Sequence, residues 1–455
     1  MRYVAINPHT GQEICSYPTA DKFELRATIE RSGEAFESWK RTSSAERSVV
    51  LCRVAELLRA NSEGDARLMA EEMGKPLAQG RGEVEKCAWT CEYYAQHAER
   101  FLEDESSGTD AAHSYVSYRP LGPVLAIMPW NFPFWQVFRF GAPALMAGNT
   151  ILLKHAPGVP GCALRVQEIF DEAGLPEGCF QNLFLTDRQV GSVIRTPLVR
   201  AVTLTGSVRA GSAVAKQAGA QVKKTVLELG GSDPYVILED ADIEHAAGQC
   251  VQSRLTNSGQ SCVAAKRFIV MEPVRERFVE AVVERMQSAR IGDPLQNETE
   301  VGPLARQDLR DLLHAQVQRS LDKGAQCLTG GEIPSAPGWY YPPTVLTKVR
   351  PGMPAYAEEL FGPVASVLSV HNRKDAIRVA NDTSFGLGAA VFTADVEEGE
   401  RIAREELNAG CCFVNTFVKS DPRLPFGGTM NSGYGRELGR HGILEFVNTK
   451  TIYVA

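Results

Sequence analysis

The chain has 455 residues, 44% of them hydrophobic and 23% charged, a balance ordinary for a globular protein. A single small core is excluded at this length, and roughly two to three domains are expected. The net charge of −7 argues against nucleic acid or an anionic membrane as the main partner. The opening residues, MRYVAINPHTGQE, carry no apolar run of the secretory kind, so a cytoplasmic location is expected. The first hundred residues read as helical: Phe23, Leu25, Ile29, Phe36 and Trp39 approximate one helical face. SAERSVVLCRVAELLRANS follows with its own amphipathic spacing, capped at Ser43 or Ser44 and ending near Asn61. Cys87 and Cys91 lie four apart on a further helix. The most apolar stretch, GPVLAIMPWNFPFWQVF, is broken by three prolines and Asn131 and is no membrane span.

From about residue 114 the character changes. Short apolar runs, VLAIM, ILLK, QNLFLT, RAVTLT and KTVLEL, alternate with helical segments, as βαβ units with a parallel sheet require. A second series, PYVIL, RFIVM, ASVLSV, AAVFT and CCFVN, begins after a break near Gly230–Ser232, so two α/β domains are expected. HSYVSYRP at 113–120 and NTKTIYVA at the C-terminus alternate with period two and belong to neither series. Such strands pair with each other or with a partner subunit. The eleven cysteines include no CxxC pair, and no HExxH or Cys/His cluster supports a metal. They read as mostly buried thiols in a reducing compartment.

Four positions invite chemistry. Cys262 ends the polar stretch NSGQSC, which places it on a loop, where a free thiol gains no packing benefit. A thiol with an ordinary pKa of ~8.5 needs a base or a cation to become a nucleophile. None of the eight histidines is nearby, so an inert thiol and a catalytic one both stay open. Glu228, at the end of KTVLE before Gly230 and Gly231, is either a strand-end salt bridge or a buried base. Asn131, between Pro129 and Pro133, is either a turn residue or a fixed amide aimed at an oxyanion. Gly206, Ser207 and Gly211 follow strand RAVTLT and open a helix, which suits either an ordinary βα turn or a phosphate at a helix N-terminus. No GxGxxG follows a strand, and Gly433-Tyr434-Gly435 reads as a turn.

Taken in order and at these separations, PWNFP, LLK, TGS, LELGGSDP, NSGQSC, EELFGPV and PFGG…SGYGRE resemble the aldehyde dehydrogenase superfamily over essentially the whole chain. LLKHAP and LTGSVRAG are similar to the shorter bacterial succinate semialdehyde dehydrogenases. The resemblance implies a Rossmann-like cofactor domain (1–110 and 121–230), a catalytic α/β domain (231–425), and bridging strands (111–120 and 443–455). It implies Cys262 as nucleophile, Glu228 as general base, and the Asn131 amide with the Cys262 N–H as oxyanion hole. Lys154 would hold the adenosine ribose, with Trp130, Gly206, Ser207 and Gly211 along the adenosine and pyrophosphate. Glu359 would hold the nicotinamide ribose, with Phe361 beside the ring. Arg139 and Ser420 would take a substrate carboxylate. NAD or NADP is the implied cofactor, and a homo-dimer or homo-tetramer the implied assembly. Pro157 stands where many NAD-preferring relatives carry a glutamate, which leans the expectation towards NADP tolerance. Ala264 replaces a second cysteine of some relatives, so no local disulfide is expected. Thr256 stands where some carry a second substrate arginine, with Arg254 close by.

The expected reaction is oxidation of succinate semialdehyde to succinate through a thiohemiacetal and a thioester. Glutarate semialdehyde and small aromatic aldehydes are alternative substrates. A cofactor-independent thiol hydrolase would cleave esters without nucleotide, and a binding or scaffold protein would turn over no aldehyde.

Overall fold

The computed structural model describes residues 2–455. Strands Phe180–Asn182, Thr150–His155, Pro123–Met128, Ala201–Thr205 and Lys224–Glu228 lie side by side in that order, all parallel. A parallel strand covered by helices on both faces must be apolar on both, which is why VLAIM and ILLK read as continuous runs. Their positions are buried almost throughout.

In chain order the sequence of strands is third, second, first, fourth, fifth. The direction of winding therefore reverses between Pro123–Met128 and Ala201–Thr205. Connections leave these two strands in opposite directions and open a crevice beyond their C-terminal ends, where open α/β sheets bind ligands. Trp130 and Asn131 follow the first of these strands, and Gly206 and Ser207 follow the other.

The chain crosses to a second sheet between Glu228 and Pro234, at the predicted break. Its strands run in the order Gln326–Thr329, Thr344–Thr347, Val364–Val370, Arg267–Met271, Pro234–Ile237, Gly388–Phe392 and Cys411–Val414, with only the first antiparallel to its neighbour. A separate apolar core that includes Tyr235, Phe268, Phe278 and Phe392 supports it. The two orphan strands pair with each other: His113–Pro120 runs antiparallel to Val447–Val454, with Val447 opposite Pro120 and Val454 opposite His113.

The helical reading of the N-terminus is corrected in its first residues. Arg2–Ile6 and Glu13–Pro18 form an antiparallel hairpin, and the first helix begins at Lys22. Strands of five and six residues are too short for alternation to stand out. Phe23 does not belong to the buried face: it is 86% exposed, while Leu25, Ile29 and Trp39 are buried. Ser43 caps the second helix, Ser44–Ala60, by accepting from the Glu46 N–H, and Glu46 reaches back in a capping box. Gly433-Tyr434 is more than a turn: it adds a short antiparallel strand to the first sheet, with Gly433 opposite Glu228. At φ 109° and with a side chain barred by the Leu227 carbonyl, that position accepts only glycine.

Candidate active site

The stretch NSGQSC leaves helix Ile243–Leu255 through three consecutive left-handed residues, Asn257, Ser258 and Gly259, at φ 54°, 54° and 77°. Two of these are not glycine, a conformation that costs of order 1–3 kcal/mol each and persists only when the surroundings enforce it. They do. Asn257 Nδ2 donates to the Asn131 carbonyl at 2.6 Å and to the Gln260 carbonyl at 3.1 Å. Ser258 Oγ donates to the Gly302 carbonyl at 3.1 Å and accepts from the Gly302 N–H at 2.9 Å. Gly259 packs against Gly362 so closely that a Cβ would overlap that carbonyl. Gln260 Oε1 accepts from the Ala305 N–H at 2.9 Å.

Two buried cations complete the loop. Arg254 Nη2 donates to the Gly259 carbonyl at 2.5 Å, so this arginine anchors the loop and does not line the cavity described below. Lys266 Nζ donates to the Ser261 carbonyl at 3.1 Å and the Cys262 carbonyl at 2.7 Å. A loop this polar suggested exposure; the structure buries it, with Asn257, Ser258 and Gln260 at most 1% accessible. The polarity is spent on internal hydrogen bonds. Cys262 sits half-buried at its end, and its N–H makes no hydrogen bond among the described residues. Burial pushes its thiol up to about 12, against the pull of Arg139 and Lys266 and with the help of Glu359 and Glu228.

Asn131 reaches the same loop. Its Nδ2 donates to the Gln260 carbonyl at 3.0 Å, which leaves its second N–H unused. Its carbonyl accepts from Asn257 Nδ2 and, at 3.0 Å, from Lys75 Nζ. Lys75 is fully buried in an ion pair with Glu83, and Glu83 Oε1 accepts the Phe134 and Trp135 N–H groups at 2.9 Å, capping helix Trp135–Met146. The backbone at Asn131 and at Phe134 and Trp135 just after it is thus clamped by one buried pair.

Glu228 ends its strand with its carbonyl accepting the Gly206 N–H at 2.9 Å. The carboxylate is not in a strand-end salt bridge: neither oxygen has a hydrogen-bond partner, and both are buried. Burial raises its pKa well above the ordinary carboxylate value, Arg139 and Arg436 pull it down, and Glu437 adds to the rise. Arg139 is not the free cation read from sequence. It is fully buried and ion-paired with Glu437, its Nη2 donates to Thr205 Oγ1 at 3.2 Å, and it stacks over Phe426 at 4.9 Å.

The positions assigned to a dinucleotide gather around the crevice. Ser207 caps helix Val208–Gly219, its Oγ accepting from the Ala210 N–H at 3.3 Å. Gly211, one turn on, packs beneath Leu229, where a Cβ would not fit. Trp130 and Phe361 meet edge to face, centroids 5.8 Å apart. Glu359 accepts the Gly231 N–H at 3.0 Å and lies 3.5 Å from Lys266 Nζ. Lys154 is buried with no carboxylate within ion-pairing distance among the described residues, and burial lowers its pKa against the pull of Asp187. A buried ammonium in that state suits a ribose hydroxyl or a phosphate, so the residues present fit a dinucleotide.

Cys262 opens onto a cavity of about 930 Å³ whose walls include Phe132, Trp135, Arg139, Phe417 and Phe426. Lys86 and Ser420 line it too, and Lys86 Nζ donates to Ser420 Oγ at 2.7 Å. Sequence reading found Ser420 but missed Lys86, Lys266, Glu437 and the Lys75–Glu83 pair. Lys86 stands three residues after Glu83 on helix Leu77–Phe101 and gives no signal that separates it from a solvent-facing lysine.

The chain as a whole is similar to known proteins. A profile of the aldehyde dehydrogenase family matches residues 1–452. A probable succinate-semialdehyde dehydrogenase [NADP(+)] of Synechocystis sp. is 48% identical, with 100% of each chain covered. A succinate semialdehyde dehydrogenase [NAD(P)+] of Escherichia coli is 44% identical over 99% of this chain and 97% of its own. The crystal structure of succinic semialdehyde dehydrogenase from Streptococcus pyogenes in complex with NADP+ superposes with a TM-score of 0.97 at 37% identity, covering 99% of each chain. The chain belongs to the aldehyde dehydrogenase family and is an NAD(P)-dependent oxidoreductase.

Proposed function

We propose that the protein oxidises succinate semialdehyde to succinate with NADP+ or NAD+, through a thioester on Cys262. The observation that carries this reading is Glu228: a fully buried carboxylate with two unpartnered oxygens, whose charge adds to the rise in pKa of a thiol on a cavity wall. Such a group costs stability and has no structural purpose in that place. When bound, the oxidised nicotinamide would supply the two-electron acceptor for the hydride and a positive charge that favours the thiolate.

Cys262 loses its proton to solvent water and its sulfur bonds to the aldehyde carbon, the C=O π pair moving onto oxygen to leave a tetrahedral oxyanion. The free N–H of the Asn131 amide and the unengaged Cys262 N–H donate to that oxygen. After the carbon has lost its hydride, a thioester remains on Cys262. Glu228 takes a proton from a water that attacks the thioester carbon, the C–S bond breaks, and the acid leaves. A carboxylate with a raised pKa is a base better matched to neutral pH than an exposed one. The sheet spanning residues 123–228 holds the cofactor in this scheme. Strand Val447–Val454, at the outer edge of its small sheet with Tyr453 and Val454 exposed, joins subunits of a homo-dimer or homo-tetramer.

The test follows reduced-nicotinamide absorbance over a panel of aldehydes with each cofactor. Succinate semialdehyde should give the highest kcat/KM. The cavity volume also admits glutarate semialdehyde, which belongs in the panel. Turnover of esters without nucleotide, and none of aldehydes with it, would refute the scheme. Asn131→Ala should lower kcat by about 10²–10³-fold, equivalent to about 2.7–4 kcal/mol of lost oxyanion stabilisation. Lys154→Met should weaken NADP+ binding about tenfold, and more than it weakens NAD+, read as dissociation constants by fluorescence quenching.

A further inference from the structure

Arg139 is positioned for a substrate carboxylate by sequence but is already neutralised. Glu437 pairs with it, Thr205 accepts one of its N–H groups, and the Phe426 ring covers it. An arginine so engaged can offer a carboxylate little of its charge. The same cavity holds a second cation with no such partner. Lys86 Nζ rests 4.2 Å over the Trp135 ring and donates one hydrogen bond, to Ser420 Oγ. No carboxylate lies within ion-pairing distance of it among the described residues.

The acids around Lys86 are committed elsewhere. Glu83, on its own helix, pairs with Lys75 and caps helix Trp135–Met146. Asp421, beside Ser420, pairs with Arg423 at 2.7 Å. Cys87 is a buried thiol whose own pKa is raised well above the ordinary value, so it adds no charge at neutral pH. The remaining charged neighbour, Arg139, repels. A half-buried ammonium on a cavity wall, with two unused N–H groups and a repulsive arginine beside it, is poised for an anion.

We propose that Lys86, with the Ser420 hydroxyl, reads the carboxylate of the substrate, and that Arg139 instead stabilises the Glu437–Glu228 region behind Cys262. One carboxylate oxygen accepts from Lys86 Nζ and the other from the Ser420 O–H. The aromatic walls of Trp135 and Phe417 cover the methylenes between the carboxylate and the aldehyde carbon at Cys262. The selectivity for an ω-oxo acid over an uncharged aldehyde of the same length then resides in a lysine, and a lysine titrates. Burial and Arg139 bring the Lys86 pKa down to about 8, Asp421 and Glu83 acting the other way. The preference should therefore be full below that pH and fade above it, because the neutral amine no longer attracts the anion.

The proposal rests on the substrate reading given above, and the experiment separates the two. The quantity measured is the ratio of kcat/KM for succinate semialdehyde to that for butanal, from pH 6.5 to 9.5, in the parent and in Lys86→Met, Lys86→Arg and Arg139→Met. Taking a ratio cancels the titration of Cys262 and Glu228, which both aldehydes share. Lys86→Met should cut the ratio by about 10–100-fold, the worth of a charge-assisted hydrogen bond. Lys86→Arg should keep most of the ratio and abolish its fall above pH 8, because a guanidinium stays charged. Lys86 pairs with no carboxylate, so its replacement by methionine of similar length should fold, which circular dichroism checks. Should Lys86→Met fail to fold, Lys86→Arg alone decides, because a ratio that still falls above pH 8 overturns the assignment. A ratio unchanged in Lys86→Met and collapsed in Arg139→Met would return the carboxylate to Arg139. A parent enzyme with no preference for succinate semialdehyde over butanal would overturn the substrate reading itself, before any variant is made.

Discussion

Glu228→Gln is expected to produce one equivalent of reduced nicotinamide per active site in a burst, followed by a steady rate about 10²–10⁴-fold below the parent's. Glutamine keeps the shape of the side chain and cannot accept a proton from water. Acylation of Cys262 draws on the oxyanion donors and the thiol, which the substitution leaves in place, so the first turnover proceeds. Hydrolysis of the thioester is the step that stalls. The replacement also removes a buried ionisable group with no hydrogen-bond partner, so the folded state should not suffer. Stopped-flow absorbance separates burst from steady state in one trace. The absence of a burst would place Glu228 in acylation rather than deacylation.

Cys262→Ser should lower aldehyde oxidation by at least about 10⁴-fold while leaving cofactor binding intact. A thiol pushed up to about 12 by burial is a poor nucleophile at rest, and an alcohol in its place is poorer still. The same high pKa fixes the sign of a second readout. Alkylation of Cys262 by iodoacetamide should accelerate as pH rises, and should accelerate further at fixed pH when NADP+ is added. Peptide mapping would separate Cys262 from Cys52, an exposed thiol. Oxidation at the parent's pace in the serine variant would remove the thioester from the scheme altogether.

The fold was largely legible because parallel strands buried on both faces leave continuous apolar runs. Each run from VLAIM to CCFVN overlaps a strand, and the break at Gly230–Ser232 is where the chain changes sheets. QNLFLT was the weakest of these, a strand only to Asn182. The hairpin of residues 2–18 escaped because its strands are short and one carries a bulge. Gly433-Tyr434 escaped because two residues show no period at all.

At the site, residue types in tight local motifs pointed to the crevice and the Cys262 loop. Partnerships across the chain did not. Nothing in WQVFRFGAP tells that Arg139 is claimed by Glu437, and nothing in GEVEKCAW tells that Lys86 faces Ser420 across a cavity. The polarity of NSGQSC misled for the same reason. Its hydrogen-bond partners, Asn131, Gly302 and Ala305, come from distant segments, so the loop looked solvated when it is enclosed.

The covalent adduct gives the most direct test. Glu228→Gln enzyme mixed with succinate semialdehyde and NADP+, quenched in acid within the burst and measured by intact mass, should carry one succinyl group, located on the Cys262 peptide. A full burst of reduced nicotinamide with no added mass on that peptide would contradict the account.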